Sequence, residues 1–275
     1  MTIPFPHISP VAIAIGPLAL RWYGLMYAAG YTLGYVLARR RMEAGTSPIG
    51  ASALDQLIGY LVTGMLIGAR LTYVLVYDWP EYRAHPLEAL ALWRGGLSFH
   101  GAVIGMAMAS ALFATRNKVS LLAITDLVAI CGTPGLFFGR LGNFINAELY
   151  GRPTTVPWAM VFPSDPTRLP RHPSQLYEAL GEGLLLGVAL WIADATLRRR
   201  GLYRPGADTG LFLISYGVMR FLIEFTRQPD AQLGFVLGPL SMGQLLCVLM
   251  IIAGVVLLAA VARATRLTPS PSEAK

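Results

Sequence analysis

Seven apolar runs, each closed off by polar or basic residues, set the pattern of this chain. They cover residues 22–38, 54–76, 97–115, 121–138, 173–197, 210–225 and 240–262. Several approach or exceed the ~20 residues that a helix needs to cross a bilayer. The pattern predicts an all-α polytopic membrane protein, a bundle of about seven transmembrane helices. Within the second run, Gly64 and Gly68 offer a face for close helix packing. The connection over 78–94 carries Trp79, Pro80, Tyr82 and Trp93 and suits the membrane surface, and 151–173 is the longest irregular stretch. Gln228, Pro229 and Asp230 read as a turn, and Pro239 sets off the last run. The motifs show no internal repeat, which leaves an inverted-repeat transporter without support.

Composition agrees with the pattern. Of 275 residues, 55% are hydrophobic and 13% charged, against about 25% charged in a soluble domain. Mean hydropathy is +0.54. The length fits one integral membrane domain over residues 1–275, with little room for a separate soluble one. A net charge of +7 would suit nucleic acid, but the basic clusters sit at the ends of apolar runs, where topology explains them. Cys131 and Cys247 lie inside apolar runs and imply no disulfide framework. His7, His85, His100 and His172 are scattered, without metal-site spacing, and the first twenty residues do not read as a cleavable signal peptide. Arg39, Arg40, Arg41, Arg116, Lys118, Arg198, Arg199, Arg200, Arg204, Arg263, Arg266 and Lys275 share one side under seven crossings. Positive charge stays inside, so the N-terminus is expected outside and the C-terminus in the cytoplasm.

Candidate chemistry begins at residues 139–154, where Arg140, Asn143, Asn146, Glu148 and Arg152 are interleaved with Phe144, Ile145, Leu149 and Tyr150. A solvated loop at the membrane boundary is one reading. The apolar residues favour another, a half-buried segment whose polar groups converge on an anion. A second constellation is Tyr216, Arg220, Glu224 and Arg227, at offsets that fall on one helix face. An arginine near a helix centre costs ~2.5–3.5 kcal/mol on insertion scales, so Arg220 should face the protein interior or a water-filled cavity. Its pairing with Glu224 alone would be structural, but Arg227 leaves the stripe with surplus positive charge. Arg70, with Asp126 or Glu178 as partner, reads equally as a structural pair or a functional one. His100 lies between small residues, Gly95, Gly96 and Gly101. It is a structural histidine or the one side chain here suited to accept a proton near neutrality.

The run from Gly139 to Glu148, with Gly151 and Arg152, resembles the signature of the prolipoprotein diacylglyceryl transferase family. So do Arg21 to Tyr27, Gly95 to Gly101, Arg171 to Glu178, and Arg220 with Glu224, Phe225 and Arg227 to Asp230, in that family's order. Ala147 stands where many members have glycine, a difference expected to matter little. The resemblance implies transfer of a diacylglyceryl group from phosphatidylglycerol to the lipobox cysteine of a prolipoprotein, at the bacterial inner membrane, without cofactor or metal. A thioether forms and glycerol phosphate leaves. Arg140 and Arg220 would clamp the phosphate, helped by Arg227, with Asn143 and Asn146 as further donors. Glu148 and Glu224 would orient the arginines, and Gly151 and His172 complete the binding set. His100 would take the thiol proton, assisted by Tyr23 and Tyr216. The thiol comes from the substrate, which accounts for two cysteines without activating neighbours. Both substrates are membrane-held, so a lateral opening between helices is expected. The alternatives are an anionic-lipid transporter or flippase and a non-catalytic scaffold.

Overall fold

In a computed structural model, the chain is described except for residues 1, 7, 17, 92–94, 229–234, 239 and 268–275. The expectations at Trp93, Pro229, Asp230 and Pro239 therefore lie outside the described residues. Ten α-helices are described: α1 Trp22–Glu43, α2 Ala51–Thr72, α3 Trp79–Ala84, α4 Phe99–Asn117, α5 Leu121–Cys131, α6 Thr133–Ile145, α7 Ser174–Glu178, α8 Leu186–Arg199, α9 Ala207–Ile223 and α10 Met242–Leu267. By length and apolarity, four helical segments among the described residues can cross a membrane: Ala51–Tyr77, Ser174–Arg199, Ala207–Thr226 and Met242–Ala264. The bent pair α5 and α6 makes five if counted as one span. The all-α membrane architecture stands, while the count of seven is not reached on this criterion. Among the expected spans, α1 runs on into Arg39, Arg40 and Arg41, and α4 has His100 in its first turn and Arg116 in its last.

Contacts divide the chain into two compact units, one of Met1–Leu37 with Asp126–Lys275 and one of Ala38–Thr125. In the smaller unit, α2 lies along α4 with backbones touching: a methyl group added at Gly105 would sit 1.9 Å from the Gly64 carbonyl oxygen. Such small-residue seams gain van der Waals contact and exclude lipid. Arg70 finds its partners within its own unit. Its guanidinium donates to the carbonyls of Glu88 (2.6 Å), Ala89 (2.7 Å), Gly95 (2.7 Å) and Gly96 (2.9 Å), so the segment after α3 wraps around it. Five donors in a rigid fork match a cluster of carbonyls better than one carboxylate would.

The expected span over 121–138 is broken at Gly132, and α5 and α6 meet at a 40° bend. Pro134, in the first turn of α6, has no N–H to donate back to Ile130 and stops α5 from continuing. Asp126, 1% exposed, accepts from Tyr203 Oη (3.0 Å), Gly206 N (2.8 Å), Thr209 N (2.7 Å) and Thr209 Oγ1 (2.7 Å). It thus acts as a cap supplied by α5 to the N-terminus of α9. Helices α7 and α8 form one rod through a π-helical stretch, Ala179–Leu185. There Gly183 lies so close to α6 that an added methyl would stand 2.5 Å from Phe137 Cα. Among the described residues, three two-stranded hairpins escape the apolar pattern because they are too short to show a period: β1 Val11–Ile15 with β2 Leu18–Arg21, β3 Met160–Val161 with β4 Pro170–Arg171, and β5 Phe235–Leu237 with β6 Leu240–Ser241.

Candidate active site

Within the larger unit, three arginines and three glutamates meet where α6, the α7–α8 rod and α9 pack. Arg140 comes from α6, Glu178 and Glu182 from the rod, Arg220 from α9, and Glu224 and Arg227 from the turn after it. Glu178 is at the centre. Its Oε2 lies 2.6 Å from Arg140 Nε and 3.3 Å from Arg220 Nη1, and its Oε1 lies 2.7 Å from Arg227 Nη1. Glu224 Oε2 lies 2.9 Å from Arg220 Nη2 and 3.3 Å from Arg227 Nε, while its Oε1 accepts from Ser241 Oγ at 2.8 Å. Glu182 reaches Arg220 Nη1 at 3.5 Å. The π-helical turn and its glycines bring the rod close enough to both neighbours for Glu178 to sit between arginines of different helices.

This geometry corrects the expected surplus charge at Arg227: with three guanidinium groups against three carboxylates, the cluster is formally balanced. The expected helical stripe also ends early, because α9 stops at Ile223 and Arg227 has extended backbone. The pairs form nonetheless. Burying Glu178 at 0% exposure is tolerable only because cations surround it. The Arg140 side chain keeps 24% exposure and that of Arg220 15%, so both remain within reach of an incoming anion.

The segment after α6 is half-buried, as expected, with its polar groups engaged among themselves. Asn143 and Asn146 each donate from Nδ2 to Glu148 Oε1, at 2.8 and 3.3 Å. Glu148 therefore orients the asparagines, not the arginines as expected. Ala147 has φ 55° and a buried side chain beside Met160 and Phe162. An L-residue there carries about 1 kcal/mol of left-handed strain, offset in large part by about 0.8 kcal/mol from the buried methyl. Gly151 is stitched on both sides. Its N–H donates to His172 O at 2.9 Å, and an added methyl would stand 2.3 Å from Thr226 O, so no larger residue fits. His172 Nδ1 is 3.2 Å from Tyr177 Oη, which accepts from Trp158 Nε1 at 2.6 Å, and burial pushes the imidazole pKa down. Tyr23 Oη lies 3.2 Å from Tyr27 Oη, and its ring lies over Gly142. Tyr216 stacks on Phe212 at 5.5 Å, one turn before Arg220. His100 belongs to the smaller unit, exposed in the first turn of α4, with its ring edge-on to Phe99 at 5.9 Å.

Glu178 and Glu182 were not among the expected site residues. Their signal was present, since two carboxylates one turn apart in an apolar run demand partners. The second omission is Arg171, which holds the loop. It pairs with Asp165 at 2.5 Å, donates to Thr167 Oγ1 (3.1 Å), Gly151 O (3.2 Å) and Gln228 Oε1 (3.3 Å), and lies over the Tyr150 ring at 4.9 Å.

Apolar helices that enclose paired arginines and glutamates, beside two engaged asparagines, define an integral membrane protein with a buried polar cluster between its helices. The chain belongs to the prolipoprotein diacylglyceryl transferase family, whose model matches residues 10–260. It is 49% identical to a phosphatidylglycerol–prolipoprotein diacylglyceryl transferase of Bordetella bronchiseptica over 251 residues, 91% of this chain and 94% of that protein. Proteins of the same name from Nitratidesulfovibrio vulgaris strain DP4 and Pseudomonas putida strain F1 are 46% and 48% identical over 255 residues, 92% of this chain and 95% and 93% of theirs.

The Asp165–Arg171 pair makes a pH-dependent contribution to the loop. Burial alone would raise the Asp165 pKa, but hydrogen bonds from Arg171 and Thr167 outweigh it and lower the value from 3.8 to about 2. A folded-state pKa below the unfolded one gives stability that is present above about pH 4 and lost as pH falls through about 2. Asp165→Asn should therefore melt at lower temperature than the parent in detergent at neutral pH, and the gap should close on acidification. A gap that stays constant down to about pH 2 would show that the ion pair does not stabilise the fold.

Proposed function

We propose that this chain, acting as one transferase domain over residues 1–275, moves the diacylglyceryl group of phosphatidylglycerol onto the thiol of a prolipoprotein's lipobox cysteine. This is the first step of bacterial lipoprotein maturation. A carbon–sulfur bond forms, the bond between that carbon and the phosphate oxygen breaks, and glycerol phosphate leaves. The observation that carries the reading is the convergence of Arg140 and Arg220, both partly exposed, on one buried carboxylate. Displacement of a phosphate from an sp³ carbon needs an anion clamp and a thiolate more than it needs a bound cofactor or metal. Arg140 and Arg220 bind the phosphate with planar forks, held in place by Glu178 and Glu224. Arg227 adds positive charge. Asn143, Asn146 and Glu148 form one preset hydrogen-bonding unit beside the clamp, and Gly151 and His172 shape the adjoining wall. Tyr23 and Tyr216 assist, and His100 takes the thiol proton. A flippase would need no lipobox peptide and would leave no thioether.

The test uses purified protein in phosphatidylglycerol vesicles with a lipobox peptide, the adduct being read by mass. A peptide heavier by one diacylglyceryl group is expected, and its absence would sink the reading. Arg220→Lys keeps the charge but loses the fork, and should cost about 10²–10³-fold in rate while the protein accumulates normally. A normal rate removes Arg220 from the clamp.

His100→Gln cannot carry the proton and should lose about 10²–10⁴-fold at neutral pH. Part of that loss should return at alkaline pH, as the peptide thiol ionises unaided. Near-normal activity at neutral pH would take His100 out of the chemistry.

In the inner membrane, the arginine bias favours an N-terminus outside and a C-terminus in the cytoplasm. A cysteine replacing Pro163 should react with an impermeant reagent added to intact cells, and one replacing Ser47 should not. The reverse pattern inverts the orientation.

A further inference from the structure

Glu182 stands out within the charged cluster. It is 0% exposed and shares one contact with an arginine, at 3.5 Å, and its Oε2 has no hydrogen-bond partner among the described residues. Glu178 meets three guanidinium groups, and Glu224 meets two and a serine hydroxyl. The other groups facing Glu182 are Arg140 from α6, Tyr216 and Arg220 from α9, Cys247 from α10 and Glu178 on its own rod. None of these supplies a closer cation than Arg220.

The balance of three arginines against three glutamates poses a problem for a site that must admit an anion. A phosphodiester carries one negative charge, and its arrival would leave the buried cluster with a net negative charge in surroundings that stabilise it poorly. Neutrality returns if one carboxylate takes up a proton. The carboxylate that loses least attraction in doing so is the one with the weakest pairing, Glu182. Glu178 and Glu224 must stay ionised to hold the two clamp arginines in place.

We propose that Glu182 is the charge-compensating carboxyl of this site: it takes a proton from solvent as an anionic phosphodiester lipid binds Arg140 and Arg220. It releases that proton when the phosphate departs. The inference rests on the lipid-transfer reading and adds a coupling between binding and pH. By linkage, affinity for the lipid falls on the alkaline side, by up to about tenfold per pH unit for one proton.

The experiment titrates the detergent-solubilised full chain with dioctanoyl phosphatidylglycerol by calorimetry, in buffers of differing protonation heat. The parent should take up about one proton per lipid bound. Glu182→Gln should bind the lipid with no uptake and with affinity independent of pH. A second readout keeps the residue identifiable if that variant does not accumulate. Lipid binding should add a protonated-carboxyl band to the infrared difference spectrum of the parent, and Glu182→Asp should move the frequency of that band. Binding without proton uptake by the parent overturns the inference and leaves the lipid-transfer reading intact. Uptake undiminished in Glu182→Gln, or a band that does not move in Glu182→Asp, overturns it as well. Failure of the parent to bind the lipid overturns both.

Discussion

A carboxylate removed from water among apolar helices is tolerated only where cations meet it, and much of the larger unit is arranged around that demand at Glu178. Arg140, Arg220 and Arg227 reach it from α6, α9 and the turn beyond α9, so one side chain ties three elements together. Removing a single partner would leave a buried charge uncompensated, which costs far more than the pair gains when intact. The close backbone contact at Gly183 and the π-helical turn are what the ion cluster requires of the fold.

The same interaction explains how the phosphate site proposed above can do without surplus positive charge among its described residues. Arginines held by glutamates keep fixed positions, and a fixed donor stabilises a developing phosphate charge without reorganising. Free arginines in the interior would cost more to bury and would be less well aimed. Beside the cluster, the asparagine–glutamate unit and the loop held by Arg171 follow the same rule, since the Nδ2 groups of Asn143 and Asn146 share one Glu148 oxygen and the Arg171 guanidinium meets Asp165.

The smaller unit meets that rule by another route. Arg70 is satisfied by backbone carbonyls, which the positive φ of Gly95 and Gly96 helps turn towards it. A single arginine thereby organises a segment whose described residues hold only the short helical turn Pro86–Leu90. Its neighbours α2 and α4 lean on a glycine seam, where backbone contact replaces the side-chain interlocking of a soluble core.

The all-α membrane class was legible in the order of residues, because apolar runs of that length have few other uses. So was the need of Arg140, Arg220, Glu224 and Arg227 for partners inside the protein, because charges in apolar runs are costly enough to need a reason. The partners of those charges were a different matter. Arg70 was open to Asp126 or Glu178 and took carbonyls, Glu148 took asparagines, and Arg227 took Glu178, 49 residues away. Sequence marks a buried charge by its cost, whereas the identity of its partner depends on which helices approach closely. That approach is set by the break at Gly132 and Pro134 and by glycine contacts between segments far apart in the chain. Only the tertiary structure brings those together.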